Sequence, residues 1–413
     1  MTTLPQQGRA WSDLETEMRE MRGDDLDWRS GRHGAFVWYA NDDIEEVLKA
    51  AYSMYMVENG LGVRVFHSLA RMESEVLAMV RGLLSAPDGA ASIFTSGGTE
   101  SIFQSLYAAR EWARATKPHI TAPEFVAPQS AHPALNKAGH LLGFSVKRGP
   151  VADDYRADVG ALAAAIGPNT IGLYASAPTY SLGLVDPIGA IGAIAEEGDL
   201  WLHVDACVGG MLTPAVRRLG YEVPAFDFAL PGVTSISADL HKSGFAAKPA
   251  SSAHFRSEDL KEYARFSFDD WPSGQYSGVT FTGTRPGGAI AAAWAALNYL
   301  GENGYDEIAA SSMRAKEAAV AGLQEIEGMH VHGDPPLWAL SYGHDAIDVH
   351  AVAADMNEHG WYCGRTTGPT GIHMMCTPVH EPTMGEYLAA LQSSIERVTA
   401  GDGTGVGTPV RYS

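Results

Sequence analysis

The sequence predicts an α/β protein with a large domain built on a mostly parallel sheet, followed by a smaller C-terminal α/β domain. Short apolar runs alternate with segments of helical periodicity from about residue 90 to residue 300, as in chains that form parallel sheets with crossover helices. Glycines and polar residues directly follow several of these runs, at the strand ends where parallel sheets bind their ligands. The chain has 413 residues, more than a single core usually accommodates, which favours a second domain.

The order of these patterns divides the chain into four parts. We predict an N-terminal helical arm over residues 1–60, a large ligand-binding domain over 61–300, a small C-terminal domain over 301–400 and a flexible, glycine-rich tail over 401–413. Asn41 is the predicted cap of an amphipathic helix in the arm.

Six apolar runs of the large domain are predicted to be buried strands, at residues 92–95, 124–127, 171–175, 200–204, 234–238 and 251–255. Helical periodicity predicts helices in both domains and in the arm, at residues 11–22, 42–56, 66–84, 100–116, 133–142, 289–299, 305–327 and 384–398. Shorter runs around residues 330, 337 and 372 are the predicted strands of the small domain.

The charge of the chain argues against a nucleic-acid partner. Its formal net charge is −20, and it has no cluster of Lys and Arg that could bind a phosphate backbone. The three cysteines, Cys207, Cys363 and Cys376, have no CxxC spacing, which favours a reducing compartment over a disulfide framework. We expect Cys207 to be a buried packing residue.

The distribution of apolar residues predicts a cytoplasmic protein without a membrane span. Residues 1–10 lack the charged start and the apolar core of a signal peptide. The most apolar helical stretch, residues 289–300, is shorter than the about 20 residues that cross a bilayer.

A glycine turn links the first predicted strand to a helix. Gly97, Gly98 and Thr99 lie at this junction, where glycines let a ligand approach the backbone and the free amides of the helix favour a phosphate. The turn is neither a dinucleotide fingerprint nor a P-loop, because the spacing of both motifs is absent. A single turn of this kind is also an ordinary helix cap.

Asp205 ends the strand predicted at 200–204. A buried carboxylate needs a cationic partner, which is a metal, an arginine or a protonated ring nitrogen. A metal is disfavoured because no histidine and cysteine spacing typical of a metal site surrounds it, and we predict no metal ligands in this chain.

Two basic residues follow other predicted strands. His132 lies between a strand end and a helix start, where an imidazole can cover a flat ring, although a capping or solvated histidine has the same signature. Lys242 lies beside His241 just beyond the run 234–238, where a lysine can be held for attack on a carbonyl. An exposed lysine in a turn is the alternative.

Together these features match the requirements of pyridoxal 5'-phosphate. A phosphate cradle at 97–99, a histidine at 132, an aspartate at 205 and a lysine at 242 would hold its phosphate, its ring, its pyridinium nitrogen and its aldehyde carbon. The coincidence of all four is more specific than any one of them.

The same segments carry a family resemblance. Residues 95–101, 130–132, 203–207, 235–248 and 281–287 resemble the sphingosine-1-phosphate lyase branch of the fold type I, group II decarboxylase-like pyridoxal enzymes. The resemblance extends from about Asn59 to Gly288. It implies a fold type I, PLP-dependent transferase-like architecture, a small-molecule amine or amino-acid substrate, and a homodimer that shares its active sites.

The resemblance also implies roles for individual residues. Lys242 would form the Schiff base, and Asp205 would pair with the pyridinium. His132 would stack on the ring and Tyr180 would act on the substrate. The further implied cofactor contacts are Gly97, Gly98, Thr99, Ser237, His241 and, from the neighbouring subunit, Thr284. Lys248 matches a second lysine that assists near the substrate.

The segment of the chain that is predicted to contact the substrate differs from the family pattern. In the lyases this segment reads like Asn-Pro-Leu-His-Pro-Asp-x-Phe, whereas this chain keeps Asn59 and has Gly62 in place of the histidine. Arg64 is a new cation in this segment. We therefore expect Asn59 and Arg64 to contact the substrate, with Arg64 meeting a carboxylate or a phosphate.

Two lyase reactions fit this set of residues. In both, the substrate amine would displace Lys242 from the cofactor. In a retro-aldol cleavage, Tyr180 or Lys248 would take the proton of a β-hydroxyl, whereas in an amino-acid decarboxylation carbon dioxide would leave. The segments that resemble the sphingosine-1-phosphate lyases favour the retro-aldol reaction of a β-hydroxy amine or a related phosphorylated amine. An aminotransferase and a non-catalytic pyridoxal-binding protein are the less favoured alternatives.

Overall fold

The computed structural model describes residues 3–401 and residue 403, except for the side chain of residue 24. Apart from residues 401 and 403, the predicted tail 401–413 lies outside the described residues.

A seven-stranded sheet forms the centre of the large domain, and its strands are β1 (Ala91–Thr95), β2 (Glu124–Pro128), β3 (Ser145–Gly149), β4 (Thr170–Ser176), β5 (Trp201–Asp205), β6 (Ser235–Ala238) and β7 (Ser251–Phe255). Their spatial order is β1-β7-β6-β5-β4-β2-β3, and only the pairings of β7 with β1 and β6 are antiparallel. The predicted mostly parallel α/β fold is confirmed. The sequence prediction missed β3, because its residues alternate between exposed and partly buried positions at the edge of the sheet.

Helices cover both faces of this sheet and extend into the remainder of the chain. They are α1 (Trp11–Met21), α2 (Asp42–Met54), α3 (His67–Leu83), α4 (Gly98–Thr116), α5 (Ala134–Leu142), α6 (Val159–Ala165), α7 (Ile188–Glu197), α8 (Thr213–Arg218), α9 (Glu258–Glu262), α10 (Gly287–Gln324), α11 (Val349–Glu358) and α12 (Met384–Ala400). Asn41 caps α2 as predicted, since its Oδ1 accepts the amide hydrogen of Ile44 at 3.0 Å. Gly301, with φ 57° and ψ −172°, interrupts α10 between the two helices that the sequence predicts there.

The C-terminal part contains a second, antiparallel sheet of β10 (Met329–Val331), β11 (Ala339–His344), β12 (Gly364–Thr367) and β13 (Thr370–Met375), in the order β10-β11-β13-β12. A short hairpin of β8 (Phe266–Phe268) and β9 (Tyr276–Gly278) projects from the large domain. The N-terminal segment reaches the second sheet, because Gly34 donates to the carbonyl of Tyr362 at 2.9 Å and accepts from Met375 at 2.8 Å.

One hydrophobic cluster joins the inner face of the large sheet to the second sheet, and another fills the opposite face of the large sheet. Five strands of the large sheet, β1, β2, β4, β5 and β6, end at the same edge, where the chain turns into the segments that carry the predicted site residues. Among the described residues, no helix has both the length and the hydrophobicity needed to cross a membrane.

Candidate active site

A cavity of about 380 Å³ opens at this edge of the sheet. The structure brings eight of the predicted residues to its wall, which are Gly97, Gly98, Thr99, His132, Tyr180, Asp205, His241 and Lys242. They come from the ends of five different strands. The parallel arrangement of those strands therefore assembles side chains that lie up to 145 positions apart in the sequence.

Lys242 faces a carboxylate that the sequence prediction missed. Its Nζ lies 3.0 Å from Oδ2 of Asp239, a residue that is only 1% exposed. Burial lowers the pKa of Lys242, but the negative charge of Asp239, with smaller contributions from Cys207 and Asp205, outweighs burial and raises that pKa above its usual value. In this arrangement Lys242 is an ammonium held in one position by its neighbour.

The ring of His241 has a defined tautomer. Its Nδ1 accepts the amide hydrogen of Ala250 at 3.1 Å, which leaves the proton of the neutral ring on Nε2. Burial lowers the pKa of His241 more than the nearby carboxylate of Asp239 raises it. His241 is therefore a neutral N–H donor beside Gly97, whose Cα faces the imidazole.

Because Gly98 has no side chain, Cys207 and Asp239 can lie close to the backbone at the start of α4. A Cβ at this position would lie 2.7 Å from Sγ of Cys207 and 2.8 Å from Oδ2 of Asp239. Glu100 accepts the amide hydrogen of Ser96 at 2.7 Å and so fixes the turn that precedes the helix. Cys207, expected to be a packing residue, is buried but also forms part of the cavity wall.

Asp205 is held by three donors. The hydroxyl of Tyr174 donates to Oδ2 at 2.7 Å, while the amide of Cys207 and the hydroxyl of Ser237 donate to Oδ1 at 3.1 and 3.3 Å. Burial raises the pKa of Asp205, but the charges of His132 when protonated and of Lys242, together with the hydrogen bonds from Tyr174 and Cys207, lower it by more. The carboxylate therefore stays ionised in a buried site, where it favours a cation in the cavity.

His132 and Tyr180 line the same cavity as Asp205 and Lys242. Nδ1 of His132 accepts the amide hydrogen of Ala134 at 3.2 Å, and burial lowers the pKa of this imidazole. The rings of His132 and Tyr180 meet edge to face, with 6.3 Å between their centroids. The predicted position of His132 over the cavity is consistent with this geometry.

The loop that carries Tyr180 is fixed against the second sheet. Gly183 has φ +74°, and a Cβ there would lie 1.9 Å from the carbonyl oxygen of Ala339 on β11, so only glycine permits this contact. Nδ1 of His373 on β13 is 3.1 Å from the carbonyl oxygen of Ser181, and its ring lies 4.7 Å from the ring of Tyr180. The sequence prediction did not include His373.

The remaining predicted residues do not line this cavity within one chain. Ser237 lies behind Asp205 and is fully buried. Lys248 is exposed, and partial desolvation together with the charge of Lys242 lowers its pKa. Arg64 and Thr284 are exposed, and Asn59 uses its side-chain oxygen to accept the amides of Leu61 and Gly62.

Similarity to known proteins decides the family. The model of the pyridoxal-dependent decarboxylase conserved domain matches residues 39–340. The chain belongs to the pyridoxal-dependent decarboxylase family. Within this family it is similar to the sphingosine-1-phosphate lyases, which confirms the resemblance found in the sequence.

Three relatives of this pyridoxal-dependent family illustrate the similarity. The sphingosine-1-phosphate lyase of Oryza sativa subsp. japonica is 36% identical over 413 residues, covering 97% of this chain and 76% of the relative. The probable L-tyrosine/L-aspartate decarboxylase of Methanothermobacter thermautotrophicus is 34% identical over 343 residues, covering 83% and 91%. The solved sphingosine-1-phosphate lyase of Burkholderia pseudomallei has 37% identity and a TM-score of 0.91, covering 97% and 95%.

Family membership makes this chain a pyridoxal-phosphate-dependent lyase, as predicted. The residues at the cavity fit that cofactor. The absence of a Cβ at Gly98 leaves the backbone amides of α4 accessible to a phosphate, and the neutral His241 can add a donor. The ionised Asp205 suits a protonated ring nitrogen, and Lys242 provides the amine.

Proposed function

We propose that this chain catalyses retro-aldol cleavage of a β-hydroxy amine that carries a phosphate or a related anionic group. The observation that carries the proposal is the convergence of Lys242, Asp205, His132 and Tyr180 on one cavity. Similarity to several sphingosine-1-phosphate lyases supports cleavage of a carbon–carbon bond beside an amine.

The side chains have separate tasks in this reaction. Bound pyridoxal phosphate supplies a ring that accepts the electrons of the bond broken at the amine-bearing carbon. Asp205 would hold a positive charge on that ring, because its own pKa is held low. Gly98, Thr99 and His241 would hold the phosphate, and His132 would cover the ring face. Lys242 would hold the cofactor through its side-chain amine.

A base must also take the proton of the β-hydroxyl as the carbon–carbon bond opens. Tyr180 lines the cavity and is held by the ring of His373, which makes it the first candidate. Lys248 is the second candidate, because its lowered pKa favours a neutral amine. Asn59 and Arg64, which lie close together in the sequence, are the proposed contacts of the substrate.

Amino-acid decarboxylation is the second candidate function. The similarity to the probable L-tyrosine/L-aspartate decarboxylase, which the chain covers to 91%, favours it. Both reactions use the same cofactor site, and they differ in which bond of the amine-bearing carbon is broken.

Product analysis separates the two candidates. We expect the purified holoenzyme to release an aldehyde from a phosphorylated β-hydroxy amine and no carbon dioxide from L-tyrosine or L-aspartate. Aldehyde is measured by derivatisation and mass spectrometry, and carbon dioxide by a coupled assay. Release of carbon dioxide without aldehyde would favour the decarboxylase, and a holoenzyme that performs neither reaction would contradict both.

We further propose that the enzyme is a cytoplasmic homodimer whose subunits complete each other's sites. The segments that carry Asn59 and Thr284 lie side by side, since Gly60 donates to the carbonyl of Arg285 at 2.9 Å. Large apolar side chains on these segments are exposed, among them Val57 at 88% and Phe281 at 69%. A second copy of the chain would cover these side chains and bring Thr284 to its partner's cofactor.

The proposed domains are consistent with this assembly. The arm 1–60 and the large domain 61–300 would supply the shared surface, and the small domain 301–400 would close the site from the other side.

Mixed dimers test the shared site. We expect Lys242→Ala and Thr284→Arg each to inactivate the enzyme, and co-expression of the two chains to restore activity. In the mixed dimer, one site combines an intact Lys242 from one chain with an intact Thr284 from the other. Sedimentation of the purified mixture confirms the dimer. Failure of the mixture to recover activity would place Thr284 in its own subunit's site or outside any site.

A further inference from the structure

Asp239 lies in the wall of the cofactor cavity, and the reaction proposed above gives it no task. It is 1% exposed, and its Oδ2 lies 3.0 Å from Nζ of Lys242 and 3.7 Å from Nε2 of His241. Apart from these two contacts, the buried Oδ2 has no hydrogen-bond partner among the described residues. This oxygen therefore depends on the charge of Lys242 for its stabilisation.

A chain of buried hydroxyl groups supports the other oxygen of this carboxylate. Oγ of Ser251 on β7 contacts Oδ1 of Asp239. Oγ of Ser101 on α4 lies 2.7 Å from Oγ of Ser251, and Oγ1 of Thr95 on β1 lies 2.5 Å from Oγ of Ser101. None of these three side chains is more than 1% exposed. The hydroxyl chain therefore links β1, α4 and β7 to one buried carboxylate.

While Asp239 is ionised, the hydrogens of this hydroxyl chain have one consistent direction. A carboxylate accepts but does not donate, so the hydrogen of Ser251 lies between its Oγ and Asp239. Ser251 then accepts the hydrogen of Ser101, and Ser101 accepts the hydrogen of Thr95. All three hydroxyl dipoles point toward Asp239 and stabilise its negative charge.

Among the charges around Lys242, that of Asp239 has the largest effect. Asp239 is the carboxylate in ion-pair contact with Lys242 among the described residues. It contributes more to the raised pKa of Lys242 than Cys207 or Asp205 does. The other titratable side chains that line the cavity or act on this amine are Glu100, His132, Tyr180, Asp205, Cys207, His241 and Lys248.

We propose that Asp239 is a positioning residue that keeps the side-chain nitrogen of Lys242 positively charged, and that the three hydroxyls hold Asp239 for this task. Lys242 can bond to the cofactor only as a neutral amine. The ammonium first loses one proton to water, the amine then attacks the aldehyde carbon, and its two remaining hydrogens leave with the aldehyde oxygen as water. Attachment of the cofactor should therefore become faster as the pH rises. The proposal rests on the proposed function, which attaches pyridoxal phosphate to Lys242.

Acetylation of the cofactor-free protein tests the charge of Lys242 without turnover. Acetic anhydride reacts with neutral amines, and peptide mass spectrometry gives the rate at each lysine from about pH 7 to about pH 10. We expect Asp239→Asn to raise the rate at Lys242 by about tenfold or more at about pH 8, because a fall of one unit in the pKa gives about tenfold more neutral amine. The exposed Lys137 in the same digest is the internal reference.

Ser251→Ala tests the support of Asp239 and remains informative where Asp239→Asn does not fold. It removes the donor to Oδ1 but leaves the carboxylate, so the rate at Lys242 should rise by about threefold or more, and less than in Asp239→Asn. Ser252→Ala is the matched control, because Ser252 is the next residue of β7, is equally buried and donates to the carbonyl of Ala238 at 3.0 Å. It should change the rate by less than about twofold.

The absorbance of the cofactor gives a second readout. The nitrogen that joins Lys242 to the cofactor should lose its proton more easily in Asp239→Asn, because the neighbouring negative charge is gone. The visible band of the holoenzyme should therefore change at a pH about one unit or more below that of the wild type. Stopped-flow mixing of cofactor-free protein with pyridoxal phosphate should show faster attachment in Asp239→Asn at about pH 8.

Two outcomes would overturn the proposal. These are unchanged acetylation of Lys242 in Asp239→Asn and equal rates at Lys242 in Ser251→Ala and Ser252→Ala. Borohydride reduction of the wild-type holoenzyme, followed by peptide mapping, reports separately on the proposed function. Cofactor attached to a different lysine would contradict that function, while the acetylation rates would still decide whether Asp239 keeps Lys242 charged.

Discussion

Replacing Lys242 by alanine is expected to abolish covalent attachment of pyridoxal phosphate and to lower kcat/KM by at least about 10³-fold, since losses of this size follow removal of a group that bonds to the reacting centre. Lys242 is the amine at the cavity wall, and Asp239 holds its Nζ at 3.0 Å. No other lysine among the described residues lines this cavity. The visible absorbance band of the lysine-bound cofactor should disappear in the variant, and activity should be measured on the same preparation.

Lys248→Ala is the matched control for the absorbance, because Lys248 is exposed and lies six positions after Lys242 in the same segment. It should keep the band, whatever its effect on turnover. Reduction with borohydride followed by peptide mapping locates the attached cofactor directly. If Lys242→Ala still carried cofactor on another lysine after reduction, the assignment of this residue would be wrong.

The local patterns that predicted the fold also predicted eight of the residues that line the cofactor cavity. Asp205 and Gly98 each lie at or just after the end of an apolar run, and a parallel sheet necessarily brings such ends to one edge. Their positions could therefore be predicted from the sequence alone. Cys207, by contrast, was expected only to pack, because a pattern along the chain does not indicate which side chains of a buried turn face a cavity.

The residues that the sequence prediction missed act across elements. Tyr174 reaches Asp205 from the neighbouring strand β4, and His373 reaches the loop of Tyr180 from the second sheet. Contacts of this kind depend on strand order and register, which the sequence pattern does not specify. Asp239 is different, since its i, i+3 spacing to Lys242 was visible in the sequence and could have suggested an ion pair.

Substitution of Asp205 by asparagine is the second change with a large expected effect. Asparagine keeps the shape of the side chain but removes the negative charge that stabilises a protonated ring nitrogen. Loss of one partner of a buried charge pair costs about 3–5 kcal/mol, which corresponds to a fall in kcat of about 150-fold to 5,000-fold. The carboxylate is buried, at 7% exposure, so water cannot replace it.

Tyr174→Phe is the control that separates charge from hydrogen bonding. It removes the donor at 2.7 Å from Oδ2 but leaves the carboxylate, which still accepts from the amide of Cys207 and the hydroxyl of Ser237. Loss of one hydrogen bond from a neutral donor to a charged group costs about 1.5–3 kcal/mol, so kcat should fall less than in Asp205→Asn. Asp205→Asn should also shift the absorbance of the bound cofactor, because the ring nitrogen loses its proton. Equal losses in both variants, with no spectral shift, would show that Asp205 acts by packing and not through its charge.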